Sequence, residues 1–265
     1  MSVYRDQMNQ SISLNDVPKR IVSLVPSQTE LLYHLGMEDE VIGITKFCIH
    51  PQQWFESKER VGGTKSVDFE KVKALNPDLI IGNKEENTKE DIEGLKALAP
   101  VWMSDIYSLS DALEMIQLLG NLLDKQVEVE RLISDIQSEF LSLRKYVNNH
   151  ELIGKSVAYF IWYDPGFLAG KNTFIDAMLS ECGFVNASNE ERYPEGDNEA
   201  LQPDYVFLSS EPYPFKEKHL ETYQEKFPNA KVVLVDGEMF SWYGSRLKEA
   251  PAYFRKLVER LVENP

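Results

Sequence analysis

The chain is poor in the residues and motifs that announce chemistry. Two cysteines among 265 residues, Cys48 and Cys182, give neither a disulfide framework nor metal-ligand spacing. Two unpaired thiols are the first reading, and a single bridge in an oxidising compartment stays open beside it. No apolar run approaches the ~20 residues of a membrane span, so no membrane insertion is expected. Residues 1–7 lack the basic-then-apolar start of a secretory signal; either the chain is intracellular as written or a signal precedes this numbering. Cations are the minority charge, 28 Lys and Arg against 43 Asp and Glu, for a net charge of −15. That balance argues against nucleic acid and anionic membrane surfaces, which need clustered positive charge. The acidic residues are spread along the chain, which reads as solubility and leaves an acidic docking face open. There is no G-x-S-x-G elbow, P-loop, G-x-G-x-x-G, H-E-x-x-H or C-x-x-C. His34, His50, His150 and His219 show no ligand spacing. No catalytic residue, metal site or cofactor is assigned.

Periodicity is what the sequence has in quantity. Over residues 125–147, Val129, Leu132, Ile133, Ile136, Phe140, Leu143 and Val147 fall on one helical face. Arg131, Asp135, Ser138, Ser142 and Lys145 fall elsewhere, and no Gly or Pro interrupts. At ~1.5 Å per residue this is a rod of roughly 35 Å. Short apolar segments at 20–26, 41–45, 78–82 and 101–103, then at 155–162, 204–208 and 231–235, alternate with helical stretches on both sides of the rod. This pattern indicates parallel sheets covered on both faces. The reading is an α/β protein of two lobes joined by one stiff helix: an N-terminal lobe over 1–107, connecting helices over 108–150 and a C-terminal lobe over 151–265. A long core helix of a single domain is the alternative. Ser27 with Glu30, Asp68, and Thr173 with Asp176 are placed as helix caps, Gly36 and Gly183 as helix ends, and 251–264 as a closing amphipathic helix. Residues 1–19 read as a polar arm adding one edge strand. Leu75-Asn76-Pro77-Asp78 is echoed by Leu201-Gln202-Pro203-Asp204, each read as a helix end, a stop and a buried strand.

In parallel sheets, ligands bind beyond the carboxyl ends of the strands. The aromatic residues Phe47, Trp162, Tyr163, Phe167, Tyr193, Phe240, Trp242 and Tyr243 fall in or beside loops after strands. They suit a large, flat or apolar ligand; packing on their own lobe is the alternative. Lys65, Lys171 and Arg246 are cations in the same loops, suited to ligand carboxylates or to ordinary surface charge. His50 follows a strand and precedes Pro51, and stands open between a structural and a binding role.

The order of motifs resembles the class III substrate-binding proteins of ABC importers, the helical-backbone receptors for cobalamin, ferric siderophores and haem. The resemblance rests on Arg20-Ile21-Val22-Ser23-Leu24-Val25-Pro26-Ser27-Gln28-Thr29-Glu30, Cys48-Ile49-His50-Pro51, Val61-Gly62-Gly63, Asn76-Pro77-Asp78-Leu79-Ile80, Gly170-Lys171-Asn172-Thr173-Phe174 and Trp242-Tyr243-Gly244-Ser245-Arg246. It implies two Rossmann-like lobes joined by one long helix, a metal-chelate ligand held between them, and a permease partner for a monomeric receptor outside the cytoplasm. The ligand-binding residues it implies, taken with the loop residues above, are Phe47, His50, Thr64, Lys65, Asn83, Trp162, Tyr163, Phe167, Tyr193, Trp242, Tyr243 and Arg246. His50, Thr64 and Asn83 replace aromatic residues of the cobalamin branch, so the cleft is less aromatic there; Trp162, Trp242 and Tyr243 offset this. Permease docking through one acidic residue per lobe falls on Glu70 and Glu199, with Glu195 the alternative to Glu199. Two rivals remain: an intracellular corrinoid or haem carrier of the same fold, and an enzyme using His50 with a carboxylate.

Overall fold

The computed structural model describes residues 1–149, 151–195 and 201–263. The chain gathers into two compact units. The first comprises Met1–Ile106, Ser110–Ser134 and Tyr243–Arg246, and the second Tyr107–Leu109, Asp135–Trp242 and Leu247–Pro265.

The first unit opens with β1 (Ser2–Arg5) and β2 (Ser11–Leu14), an antiparallel hairpin forming its own two-stranded sheet. The single edge strand expected from residues 1–19 is thus two strands paired with each other. The buried Asp6 carboxylate accepts from the amides of Met8 and Gln10 in the turn and from that of Met103, which ties the hairpin to the main sheet. That sheet contains β3 (Ile21–Ser23), β4 (Val41–Ile44), β5 (Glu59–Arg60), β8 (Leu79–Asn83) and β9 (Val101–Ser104) in the order β5-β4-β3-β8-β9. Every pair in it is parallel. All five residues of β8 are buried, as expected of a strand covered on both faces. A small hairpin, β6 (Gly62–Gly63) with β7 (Ser66–Val67), stands apart. The helices are α1 (Pro26–His34), α2 (Gln52–Ser57), α3 (Phe69–Leu75), α4 (Lys89–Leu95) and α5 (Leu109–Leu122). Asp68 caps α3, accepting from the Lys71 amide, and Asn76 closes it in the left-handed region. The cap expected from Ser27 and Glu30 is absent. Pro26 begins α1 directly after Val25, with no side chain capping it; its fixed φ suits the first helical position, and the amide it lacks is one that has no partner within the helix.

The long helix is α6 (Gln126–Val147), 22 residues without a break. Its stretch 126–134 belongs to the first unit and 135–147 to the second. Val129, Leu132, Ile136, Phe140, Leu143 and Val147 are buried and Ile133 is half-buried; the periodicity in the sequence reports this face correctly.

The second unit is built on β10 (Ser156–Trp162), β11 (Phe167–Leu168), β12 (Val185–Asn186), β13 (Tyr205–Ser209) and β14 (Lys231–Val235), ordered β11-β10-β13-β14 with β12 also on β10. Only β11 runs antiparallel. Alternation along β10 and β13 gives the sheet two apolar faces. Ala158, Phe160, Val206 and Leu208 pack with Phe215, Tyr223 and Phe227, near α8 (Leu220–Lys226). Tyr159 and Phe207 pack on each other and on Phe240 of α9 (Gly237–Ser241), and Phe207 also meets Phe184, which follows α7 (Phe174–Glu181). Phe240 meets Phe254 of α10 (Ala250–Glu263) at 4.7 Å between ring centres. Thr173 caps α7 as expected, accepting from the Asp176 amide at 3.1 Å. Residues 201–203, read as a helix end and its stop, carry no helix, and residues 196–200 before them lie outside the described residues. No helix among the described residues is long and apolar enough to cross a membrane.

Candidate functional site

In the first unit the loops after the parallel strands carry the expected positions. The loop after β4 is pinned by Cys48, whose buried sulfur meets the hydroxyls of Thr29 at 3.1 Å and Thr45 at 3.2 Å. Burial pushes this thiol up, and the two hydroxyls oppose the shift. Anchoring the middle residue turns its neighbours outward. Phe47 is 51% exposed and Ile49 also faces solvent, with the Lys46 ammonium 5.1 Å from the Phe47 ring centre. His50 is half-buried beside Pro51.

Thr64 and Lys65 lie in the turn between β6 and β7. The Thr64 carbonyl accepts from the Asn87 side chain at 2.9 Å, and Lys65 is exposed. Asn83, at the end of β8, is buried and fully engaged. Its amide nitrogen donates to Ser104 Oγ at 2.9 Å, and its carbonyl accepts from the backbone of Glu85 and Glu86. It builds the strand-end turn. That turn brings up Glu86, a residue sequence reasoning passed over. Burial pushes its carboxyl up, the Glu85 charge adds to this, and Lys65 opposes it.

Tyr243–Arg246 also belongs to the first unit. A β-carbon at Gly244 would stand 2.6 Å from the Ser27 carbonyl, so only glycine lets this segment lie against α1. Tyr243 is 7% exposed; burial pushes its phenol well up, with the Glu86 charge second. Arg246 grips Glu30 through two bonds, at 3.1 and 2.5 Å. The structure therefore gives Arg246 an internal carboxylate partner, and the Tyr243 ring an interior place.

In the second unit, Trp162 ends β10 and is 41% exposed, and Tyr163 follows at 37%. Phe167 on β11 pairs with Trp162. Tyr193 stands beside Arg192, whose guanidinium lies 5.4 Å from its ring centre and 5.2 Å from that of Tyr107. Trp242 is 5% exposed, its indole nitrogen donating to Glu211 Oε1 at 2.9 Å. Like Tyr243 it packs inside. Ser241 Oγ donates to the same Glu211 oxygen. Lys171 is tied to Asp176 at 3.4 Å. Sequence reasoning missed Tyr213, which stacks on Tyr163 and meets Trp162 edge-on, each at 5.7 Å between ring centres. The signal was available: Glu211-Pro212-Tyr213-Pro214-Phe215 follows a strand of the parallel sheet.

Of the expected docking residues, Glu70 is exposed in the first turn of α3, and Glu199 lies outside the described residues. His150 and Asn264 do as well. Glu195 is exposed and its backbone bridges Phe167. Among the described residues no group of three or more His, Cys, Asp or Glu is placed to hold a metal ion.

The sequence pattern of the family described as Periplasmic binding protein matches residues 21–227. The chain is 29% identical to an uncharacterized ABC transporter substrate-binding lipoprotein, YvrC, of Bacillus subtilis; the match covers 70% of this chain and 60% of the relative. It is 25% identical to a vitamin B12-binding protein of Pectobacterium carotovorum, over 87% of this chain and 85% of the relative. Among solved structures, a periplasmic heme binding protein from Pseudomonas aeruginosa is similar with a TM-score of 0.79 and 22% identity, over 91% of this chain and 92% of that one.

Proposed function

The chain belongs to the periplasmic binding protein family, and from that premise we propose that it is the substrate-binding receptor of an ABC importer, taking a metal-chelate ligand: a corrinoid, a haem or an iron–siderophore complex. The observation that carries the reading is the set of exposed aromatic side chains at or just after the ends of parallel strands, Phe47 in one unit and Trp162 and Tyr163 in the other. These loops hold few groups suited to reaction. Asn83 and Arg246 are engaged internally, and Cys48 is a buried anchor. Aromatic faces bind flat, weakly polar surfaces without bond-making. The relatives named above support the same direction, since they are binding proteins of ABC transporters, of vitamin B12 and of heme. The receptor acts outside the cytoplasmic membrane as a monomer. It makes and breaks no bond in its ligand, and it meets its permease through Glu70 and an acidic residue of the second unit.

The test is equilibrium titration of the purified protein with cyanocobalamin, hemin and a ferric hydroxamate siderophore. Trp162 is the exposed indole, since Trp54, Trp102 and Trp242 are buried, so it is the reporter. Saturable quenching with a dissociation constant of about 1 μM or tighter, roughly −8 kcal/mol, is expected for at least one chelate, and Trp162→Phe should remove most of the signal. If none of the three binds at ~100 μM, a level corresponding to about −5.5 kcal/mol, the reading fails.

A further inference from the structure

The ledge of aromatic rings at the carboxyl ends of β10 and β13 has a buried histidine behind it. Tyr213 and Tyr163 stack with 21° between their planes, and Trp162 stands against Tyr213 at 66°. His219 is buried at ring-centre distances of 5.0 Å from Tyr163, 5.6 Å from Tyr213 and 5.4 Å from Phe215. Both its nitrogens are engaged. The Lys216 backbone amide donates to Nδ1 at 2.9 Å, and Nε2 lies 3.2 Å from the Tyr213 hydroxyl oxygen. Nδ1 also lies 3.1 Å from the Lys216 carbonyl, which already accepts from the His219 backbone amide at 2.8 Å.

These contacts fix a proton. A backbone amide always carries its hydrogen, so an imidazole nitrogen that accepts from it holds none. A hydrogen on Nδ1, aimed at the Lys216 carbonyl, would stand against the hydrogen of the closer Lys216 amide, so in the neutral ring the hydrogen sits on Nε2, and Nε2 donates to Tyr213 Oη. A phenol oxygen that already accepts from behind keeps its own O–H for a partner in front. The Tyr213 backbone amide donates to the Ile161 carbonyl at 3.2 Å, which holds the ring at the strand end.

We propose that Tyr213 is a specificity-determining residue for the ligand: its ring extends the aromatic ledge of Trp162 and Tyr163 for a flat conjugated ring, and its hydroxyl donates to a carbonyl or carboxylate at the rim of that ring. His219 is a positioning residue that acts through Tyr213. The ligand class is a planar macrocycle bearing acceptors on its edge, as opposed to a chelate built from aliphatic hydroxamates. The inference rests on the receptor reading above and narrows it.

The experiment uses the full chain and three probes: hemin, whose rim carries carboxylates; cyanocobalamin, whose rim carries amide carbonyls; and a ferric hydroxamate siderophore. Tyr213→Phe keeps the ring and removes the donor; it should weaken the preferred macrocycle about 3- to 10-fold, the range for one neutral hydrogen bond, and also lower the thermal midpoint, because the buried Nε2–H of His219 loses its acceptor. Tyr213→Ala should weaken it further. His219→Ala leaves the phenol O–H in place but without the bond that aligns it, so it should weaken binding by no more than Tyr213→Phe does and add nothing in the double variant, because it acts only through that hydroxyl. His219→Gln, whose amide can accept from Lys216 and donate to Tyr213, should restore affinity. A merely structural histidine would alter stability without this coupling. Macrocycle binding unchanged in Tyr213→Phe and Tyr213→Ala overturns the proposal and leaves the receptor reading intact. So does binding of the hydroxamate chelate alone. Failure of all three probes against the unaltered protein overturns both.

Discussion

Asp78 and Asp204 do one job in two sheets. Each stands just before a buried strand and accepts from the backbone of the chain entering the neighbouring strand: Asp78 from the amides of Lys19 and Arg20 at 2.9 Å, Asp204 from that of Ser156 at 2.8 Å. The repeated Pro-Asp in the sequence thus marks a clamp on strand entry. The Ser156 amide lowers the Asp204 carboxyl to about 2, with Lys155 adding to it. A folded-state value below the unfolded one means stability that is fully present above about pH 4 and lost as pH falls through about 2. Asp204→Asn should therefore lower the unfolding midpoint at neutral pH and flatten its decline between about pH 4 and pH 2. The carboxylate is partly open to solvent, which limits the loss to about 1 kcal/mol. Thermal melts across that pH range check both statements.

Helix faces were legible because burial on one side of a helix imposes a period that the sequence must carry. The run Val129, Ile136, Phe140, Leu143, Val147 shows it plainly. Caps were legible where one side chain satisfies one amide locally, as Asp68 and Thr173 do. Glu30 misled because a carboxylate in a first helical turn has two uses, and here it pairs with Arg246, 216 residues away. The contact between α5 and α6 was not legible. Gly120 in α5 looks like a helix-weakening residue, yet a β-carbon there would overlap the Val129 side chain. Gly120→Ala should destabilise the protein by roughly 1–3 kcal/mol through overpacking, against the gain of about 1 kcal/mol that helix propensity alone would give. Urea midpoints decide the sign: a stabilised variant would mean the two helices can separate without loss.

At the scale of the whole molecule the chain does not complete one unit before starting the next. Residues 110–134 return to the first unit after a brief excursion, and Tyr243–Arg246 return again from the far end of the sequence. The last return is held by the Arg246–Glu30 pair, which is mostly buried. Glu30→Ala leaves the guanidinium without that carboxylate and should cost about 2 kcal/mol, read as a shift of the urea midpoint with unchanged slope. An unshifted midpoint would show that the segment holds its place without the pair. The sequence by itself determined the α/β class, the parallel strands, the long amphipathic helix, most helix ends and the family, because each follows from local spacing of apolar residues, caps and short motifs in order. Tertiary structure alone decided which aromatic rings remain exposed. Phe47, Trp162 and Tyr163 face outward, whereas Trp242 and Tyr243, of the same type and also beside a strand-end loop, are buried. It alone also set Tyr213 between Tyr163 and His219, and gave Arg246 a partner. Exposure and pairing depend on neighbours brought together from distant parts of the chain, and no local period encodes them.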